Sequence, residues 1–128
     1  MPAIRPDHFT VVTDCLEATR DFYQCFGFRI GPRPAMRVDG LWLYLGEHAV
    51  LHLLATDRMP EPRRGALDHM AFRATGLQET CTLLQERGMR YRLRRMAAPL
   101  DDWQLFFDDP NGVTVEFDFA GSEPGEPT

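Results

Sequence analysis

Four residues of this 128-residue chain have side chains that ligate metals yet sit in apolar runs: His8, His52, His69 and Glu116. His8 and His69 each follow an aspartate and each open a stretch that reads as a strand, His8-Phe-Thr-Val-Val and His69-Met-Ala-Phe-Arg. His52 interrupts the aliphatic run Ala49-Val-Leu-His52-Leu-Leu. In Val113-Thr-Val-Glu116-Phe-Asp-Phe, two-residue alternation puts Val113, Val115, Phe117 and Phe119 on one face and Glu116 on the other. Imidazole and carboxylate together suit Fe, Mn, Zn, Ni or Co, and two histidines with one carboxylate form the facial triad of non-haem iron enzymes. A buried glutamate without a partner either costs several kcal/mol or takes up a proton, and a cation removes that penalty. Ordinary hydrogen bonding accounts for any one strand histidine taken alone. Recurrence at matched positions is what singles out this set. His52, at the end of its strand, either ligates the metal or lines the pocket as an acid–base group, and His48, beside a turn and outside the pattern, reads as a surface residue.

The elements that carry these residues come in two copies. Sliding the chain by 61 residues lays Asp7-His8 on Asp68-His69, Asp14 on Thr75, Glu17 on Gln78 and Gly27 on Gly88. The Asp14/Glu17 and Thr75/Gln78 pairs have the spacing of capping boxes, and the two glycines stand where a helix needs a left-handed stop. Each copy continues with three extended stretches, about 29–37, 41–46 and 48–55 in the first and 91–97, 103–108 and 113–119 in the second. Ala18, Phe22 and Cys25–Phe26 are expected on the buried face of the first helix, and Leu77, Cys81 and Leu84 on that of the second. The expected fold is therefore α+β: two βαβββ modules, about 5–58 and 66–120, forming an eight-stranded cup with the helices on its outer face. Residues 57–66 read as the linker, and the Gly/Pro/Glu-rich stretch 120–128 reads as a flexible tail. His52 and Glu116 are 64 residues apart, three more than the repeat, which a longer hairpin loop at Asp108-Asp109-Pro110-Asn111-Gly112 explains. Matched strands then bring His8, His52, His69 and Glu116 toward one point. Thr10 and Arg73 share faces with His8 and His69, and Trp42, with Tyr44, Trp103 and Phe106, is a candidate pocket wall. Gln104 is a candidate polar contact.

Composition narrows the rest. The chain is 44% hydrophobic and 26% charged, the balance of one globular domain. Its net charge of −5 argues against nucleic acid as partner, and no apolar run approaches the roughly 20 residues of a membrane span. All 14 basic residues are arginine. Cys15, Cys25 and Cys81 form no Cys-x-x-Cys pair and are expected as reduced thiols in a cytoplasmic protein. Sheet edges on so small a domain point to a homodimer.

The paired Asp-His strand starts, the His-Leu-Leu strand and the ending Leu-Phe-Phe-Asp-Asp-Pro-Asn-Gly-Val-Thr-Val-Glu-Phe resemble the vicinal oxygen chelate superfamily over about residues 5–119. That superfamily includes glyoxalase I, extradiol dioxygenases and bleomycin-binding proteins. The resemblance implies one divalent metal ion held by residues at the positions of His8, His52, His69 and Glu116, and a small oxygen-chelating substrate. His52 departs from glyoxalase I, which has a glutamate there. Four protein ligands on an octahedral ion leave two positions for a chelating substrate, which favours isomerase or lyase chemistry with Glu116 or His52 moving a proton. If His52 stays off the metal, a third position opens for dioxygen and extradiol ring cleavage of a catechol becomes the alternative. A second alternative is a non-catalytic drug-binding protein of the bleomycin-resistance kind, which does not need the four ligands.

Overall fold

The computed structural model describes residues 1–127, and the chain divides after Arg63, within the expected linker. The first module runs β1 (Phe9–Thr13), α1 (Leu16–Gln24), β2 (Arg29–Gly31), β3 (Gly40–Leu45) and β4 (His48–Ala55). The second runs β5 (Met70–Arg73), α2 (Leu77–Glu86), β6 (Tyr91–Arg95), β7 (Trp103–Asp108) and β8 (Thr114–Phe119). Each module builds one four-stranded mixed sheet, ordered β1-β4-β3-β2 and β5-β8-β7-β6. The first and last strands of each module pair in parallel, and the other neighbours are antiparallel. The chain is thus α+β with two βαβββ modules.

The repeat holds at the level of register. Phe9 lies opposite Leu51 and Met70 opposite Val115, so the same rung recurs at the offsets of 61 and 64 read from the sequence. Across the antiparallel pair, Trp42 faces His52 as Phe106 faces Glu116. Alternation in β8 sends Val115, Phe117 and Phe119 into the core, where Leu105, Phe107, Leu77, Cys81 and Leu84 are also buried. In the first module Leu43, Leu51, Leu53, Phe22, Tyr23 and Phe28 fill the corresponding core, with α1 packed on β4.

Local chemistry explains where the elements stop. Gly27 and Gly88 take φ of 92° and 65°, as left-handed helix stops. β2 ends at Gly31, well short of the expected residue 37, because Pro32 and Pro34 have no N–H to give a sheet. On α1 the buried face is Thr19, Phe22 and Tyr23, with Ala18 exposed, so the helix is rotated from the expected stripe. The anchor is polar: the Thr13 and Thr19 hydroxyls are 3.0 Å apart in the buried interior. Neither expected capping box forms. Cys15 and Gly76 are the N-caps, without side-chain caps of their own. Gly76 takes φ 84°, and the free N–H groups of Gly76 and Leu77 donate to Glu123 Oε1 at 3.0 and 2.8 Å. A carboxylate at a helix N-terminus satisfies orphan donors and meets the positive end of the dipole. Glu126 hydrogen-bonds the Tyr91 hydroxyl, so the stretch read as a flexible tail is engaged at both its glutamates; Thr128 lies outside the described residues. The three cysteines are free, and no described helix is long and apolar enough to cross a membrane.

Candidate metal centre

In the second module, β5 and β8 run side by side and set His69, which immediately precedes β5, against Glu116. His69 Nε2 lies 3.1 Å from Glu116 Oε1, and His69 Nδ1 lies 2.8 Å from Asp68 Oδ2. Glu116 is 5% exposed, and its second oxygen accepts from Gln104 Nε2 at 3.2 Å. Gln104 Oε1 in turn accepts from Arg94 Nε at 2.7 Å. A chain of polar contacts thus runs from the residue before β5 across β8 and β7 to β6, on the face opposite the core. The tautomer follows from the Asp68 contact: Nδ1–H donates to that carboxylate, so Nε2 presents a lone pair to a carboxylate oxygen. Two lone pairs at 3.1 Å need a positive charge between them, a proton or a metal ion. The spacing also suits two neighbouring donors on an ion with bonds of about 2.1 Å. The carboxylate behind Nδ1 is the usual support of a metal-binding histidine. The donor set therefore fits a small divalent cation.

The first module repeats the support but arranges its donors differently. His8 Nδ1 lies 2.7 Å from Asp7 Oδ2, and that hydrogen bond holds the Asp7 carboxyl below the usual range. His48 also reaches Asp7, with Nε2 2.6 Å from its carbonyl oxygen, and so buttresses the strand start instead of standing free on the surface. His52 stacks between two rings: His8 at 3.7 Å between centroids and 13° between planes, and Trp42 at 4.1 Å and 11°. Burial pushes the His52 imidazole pKa down, and the neighbouring His8 adds to the effect. Ring nitrogens bind metals in the ring plane, and planes this nearly parallel do not meet within bonding distance. His8 and His52, arranged this way, cannot both ligate one ion. Each module thus carries one pair of the predicted donors, His8 with His52 in the first and His69 with Glu116 in the second.

Of the weaker candidates, Trp42 and Gln104 touch donors directly. Thr10 lies beside His52 in register and is exposed. Arg73 pairs with Asp102 at 2.6 Å and lies opposite Asp118 in register. Asp7 and Asp68 were visible only as part of the repeated Asp-His pair. Their orienting role follows from adjacency, which lets an aspartate reach the next residue's Nδ1. Asp118 gave no signal beyond lying two residues from Glu116 on the same face. Its Oδ1 is buried and has no hydrogen-bond partner among the described residues. Burial, then the adjacent Glu116 carboxylate, pushes the Asp118 pKa up to about 7, partly opposed by Arg73. Between the ordinary value of 3.8 and about 7 the folded protein holds a proton that the unfolded chain has released, so stability falls as pH rises through that window. Thermal melts of metal-free protein at pH 5 and pH 8 check this. Asp118→Asn is expected to gain stability over the parent at pH 8, to gain less at pH 5, and to match it only once the pH is below the ordinary carboxylate value of 3.8.

The comparisons agree with this architecture. The sequence matches the Glyoxalase/Bleomycin resistance protein/Dioxygenase superfamily over residues 5–117. It is 29% identical to Glyoxylase I 4 of Arabidopsis thaliana over 130 residues, covering 94% of this chain and 74% of that protein. A glyoxalase family protein of Bacillus anthracis superposes with a TM-score of 0.73 at 23% identity, covering 94% of this chain and 98% of that one. Lactoylglutathione lyase of Agrobacterium tumefaciens superposes with a TM-score of 0.66 at 21% identity, covering 92% and 95%. With the family matched across nearly its whole length and both modules formed, the chain belongs to the Glyoxalase/Bleomycin resistance protein/Dioxygenase superfamily.

Proposed function

We propose that this protein is a divalent-metal-dependent isomerase or lyase acting on a small substrate with neighbouring oxygens. His8, His69 and Glu116 are its metal donors, and His52, stacked on His8, is an acid–base group. The observation that carries the reading is the 3.1 Å pair of His69 Nε2 and Glu116 Oε1, backed by Asp68. An ion bound there supplies Lewis acidity toward substrate oxygens. Glu116 has one oxygen against His69 and the other on Gln104, so its geometry is fixed on both sides. His52, kept neutral by burial and held flat by Trp42, takes a proton at a ring nitrogen from the carbon next to a carbonyl and returns it to the neighbouring atom. The similarity to a glyoxylase I protein and to a lactoylglutathione lyase supports this branch.

The ring stack of His52 favours a second reading. The same three donors, with His52 stacked on His8 and off the metal, would also leave room for dioxygen beside a chelating catechol, which makes an extradiol dioxygenase the second reading. Two assays separate them. Exchange of a substrate α-proton with solvent under Ni, Co or Zn is expected for the first reading. Oxygen uptake on catechols under Fe(II), lost in Glu116→Gln, would replace it with the second.

Asp68→Asn tests the support of His69. Loss of the carboxylate behind Nδ1 is expected to weaken metal affinity about 10- to 100-fold, read by competition with a chromophoric chelator. Unchanged affinity would mean that the Asp68 carboxylate does not support a metal-bound His69. The reading also takes this protein as cytoplasmic and as a homodimer, the latter because each sheet ends in edge strands that a second copy can pair. Sedimentation at two concentrations distinguishes dimer from monomer.

A further inference from the structure

A second feature of the polar face of the second module lies toward β6. Four of the chain's arginines fall within residues 90–95, although its net charge is −5. Two of them share one aromatic ring: Arg92 Cζ lies 4.9 Å and Arg94 Cζ 5.4 Å from the Phe106 centroid. Arg94 is committed to Gln104 through Nε. Among the described residues, the side chains of Arg90 and Arg92 make no hydrogen bond and no ion pair. A guanidinium stacked on a ring keeps its edge free, and that edge is a planar fork of donors that matches an oxyanion. Two cations over one ring also repel each other, and an anion between their edges relieves that repulsion.

Arg90, Arg92 and Phe106 line a cleft of about 420 Å³, with Arg64, Asp108 and Thr114 also in its walls. Arg64 is ion-paired to Asp108, so Arg90 and Arg92 remain as uncompensated positive charge. The cleft adjoins the candidate metal donors. Thr114 stands two residues before Glu116 on the same face of β8, and the Phe106 ring meets the His69 ring edge-on at 5.8 Å between centroids. Phe106 therefore touches both the metal-donor histidine and Arg92, a span that one small molecule covers.

We propose that this cleft is a subsite for an oxyanion, a carboxylate or a phosphate, carried by the substrate, with Phe106 as the wall for the apolar part next to it. As a statement about substrate, it rests on the reading of His69 and Glu116 as metal donors. The substrate class is then a small, flat, singly or doubly charged acid whose chelating oxygens lie a few bonds from the anionic group.

The subsite can be tested apart from the metal. Metal-free protein in chelator is titrated with benzoate, phenyl phosphate and neutral benzamide, followed by amide and arginine Nε–H resonances. Saturable binding of an oxyanion probe but not of benzamide is expected. The loss in Arg92→Gln should be roughly 10- to 100-fold, as for one charge-assisted contact, with partial recovery in Arg92→Lys. The tighter of the two oxyanion probes identifies the group as carboxylate or phosphate. Arg92 is exposed, and a dispersed spectrum of the variant verifies that it folds. Equal binding of benzamide, undiminished binding in Arg92→Gln, or no saturable binding of either oxyanion overturns the proposal. Co(II) titration of the same sample separates the two readings: oxyanion binding without Co(II) binding removes the metal centre and leaves the subsite, and the converse removes the subsite alone.

Discussion

Glu116→Gln is expected to lower affinity for a divalent ion by more than about 100-fold while leaving the fold intact, a larger loss than the 10- to 100-fold typical of a group that only supports a ligand. Glutamine keeps the shape and an acceptor for Gln104 but replaces a carboxylate donor with a neutral amide, and the carboxylate is the one negative charge among the four donors. The effect on the metal-free protein runs the other way. Glu116 is 5% exposed and lies next to Asp118, whose Oδ1 is buried without a partner. Removing a buried carboxylate that neighbours a partly buried one relieves desolvation and repulsion, so the melting temperature without metal should hold or rise. Calorimetric metal titration and thermal melts of parent and variant measure both effects. Retained metal affinity together with a lower melting temperature would make Glu116 a purely structural residue.

Phe117→Ala is expected to cost about 3–5 kcal/mol, the range for truncating a buried aromatic, measured by urea unfolding. Phe117 is 4% exposed and meets Phe72, Phe107 and Phe119 edge-on at centroid distances of 6.3, 5.1 and 6.3 Å. It also sits between Glu116 and Asp118 in β8, pointing to the opposite face. The loss is a large part of the about 5–15 kcal/mol that holds a typical domain together. A cost below about 1 kcal/mol would mean that this cluster is not the core of the second module.

Much of this was legible in the chain because it rests on short-range periodicity and on repetition. The alternation Val115-Glu116-Phe117 fixes which side of β8 faces the core, and the 61-residue repeat fixes which strands correspond. Gly27 and Gly88 marked helix ends because the left-handed stop is a property of the residue itself. The failures involve partners far apart in sequence. Glu123 caps α2 from 47 residues beyond Gly76, so Thr75 and Gln78, a good capping box on paper, go unused. Tyr23, 1% exposed, replaces Ala18 on the buried face because Phe22 and Phe28 offer it edges at 5.0 and 5.3 Å. At the candidate site, residue types identified the donors, but the orientation of the His52 ring depends on the cross-strand register with Trp42, which no local pattern encodes. The same holds for Arg92 and Arg94, whose shared ring belongs to the neighbouring strand.

The central claim is that the repeated Asp-His pairs and Glu116 hold one divalent ion. Titration of chelator-treated protein with Co(II), followed by its visible absorption and by elemental analysis of the washed complex, tests it most directly. The account predicts saturation at one ion per chain, with the absorption lost in His69→Ala and in Glu116→Gln. Absence of saturable binding, or equal binding by the parent and both variants, would contradict it.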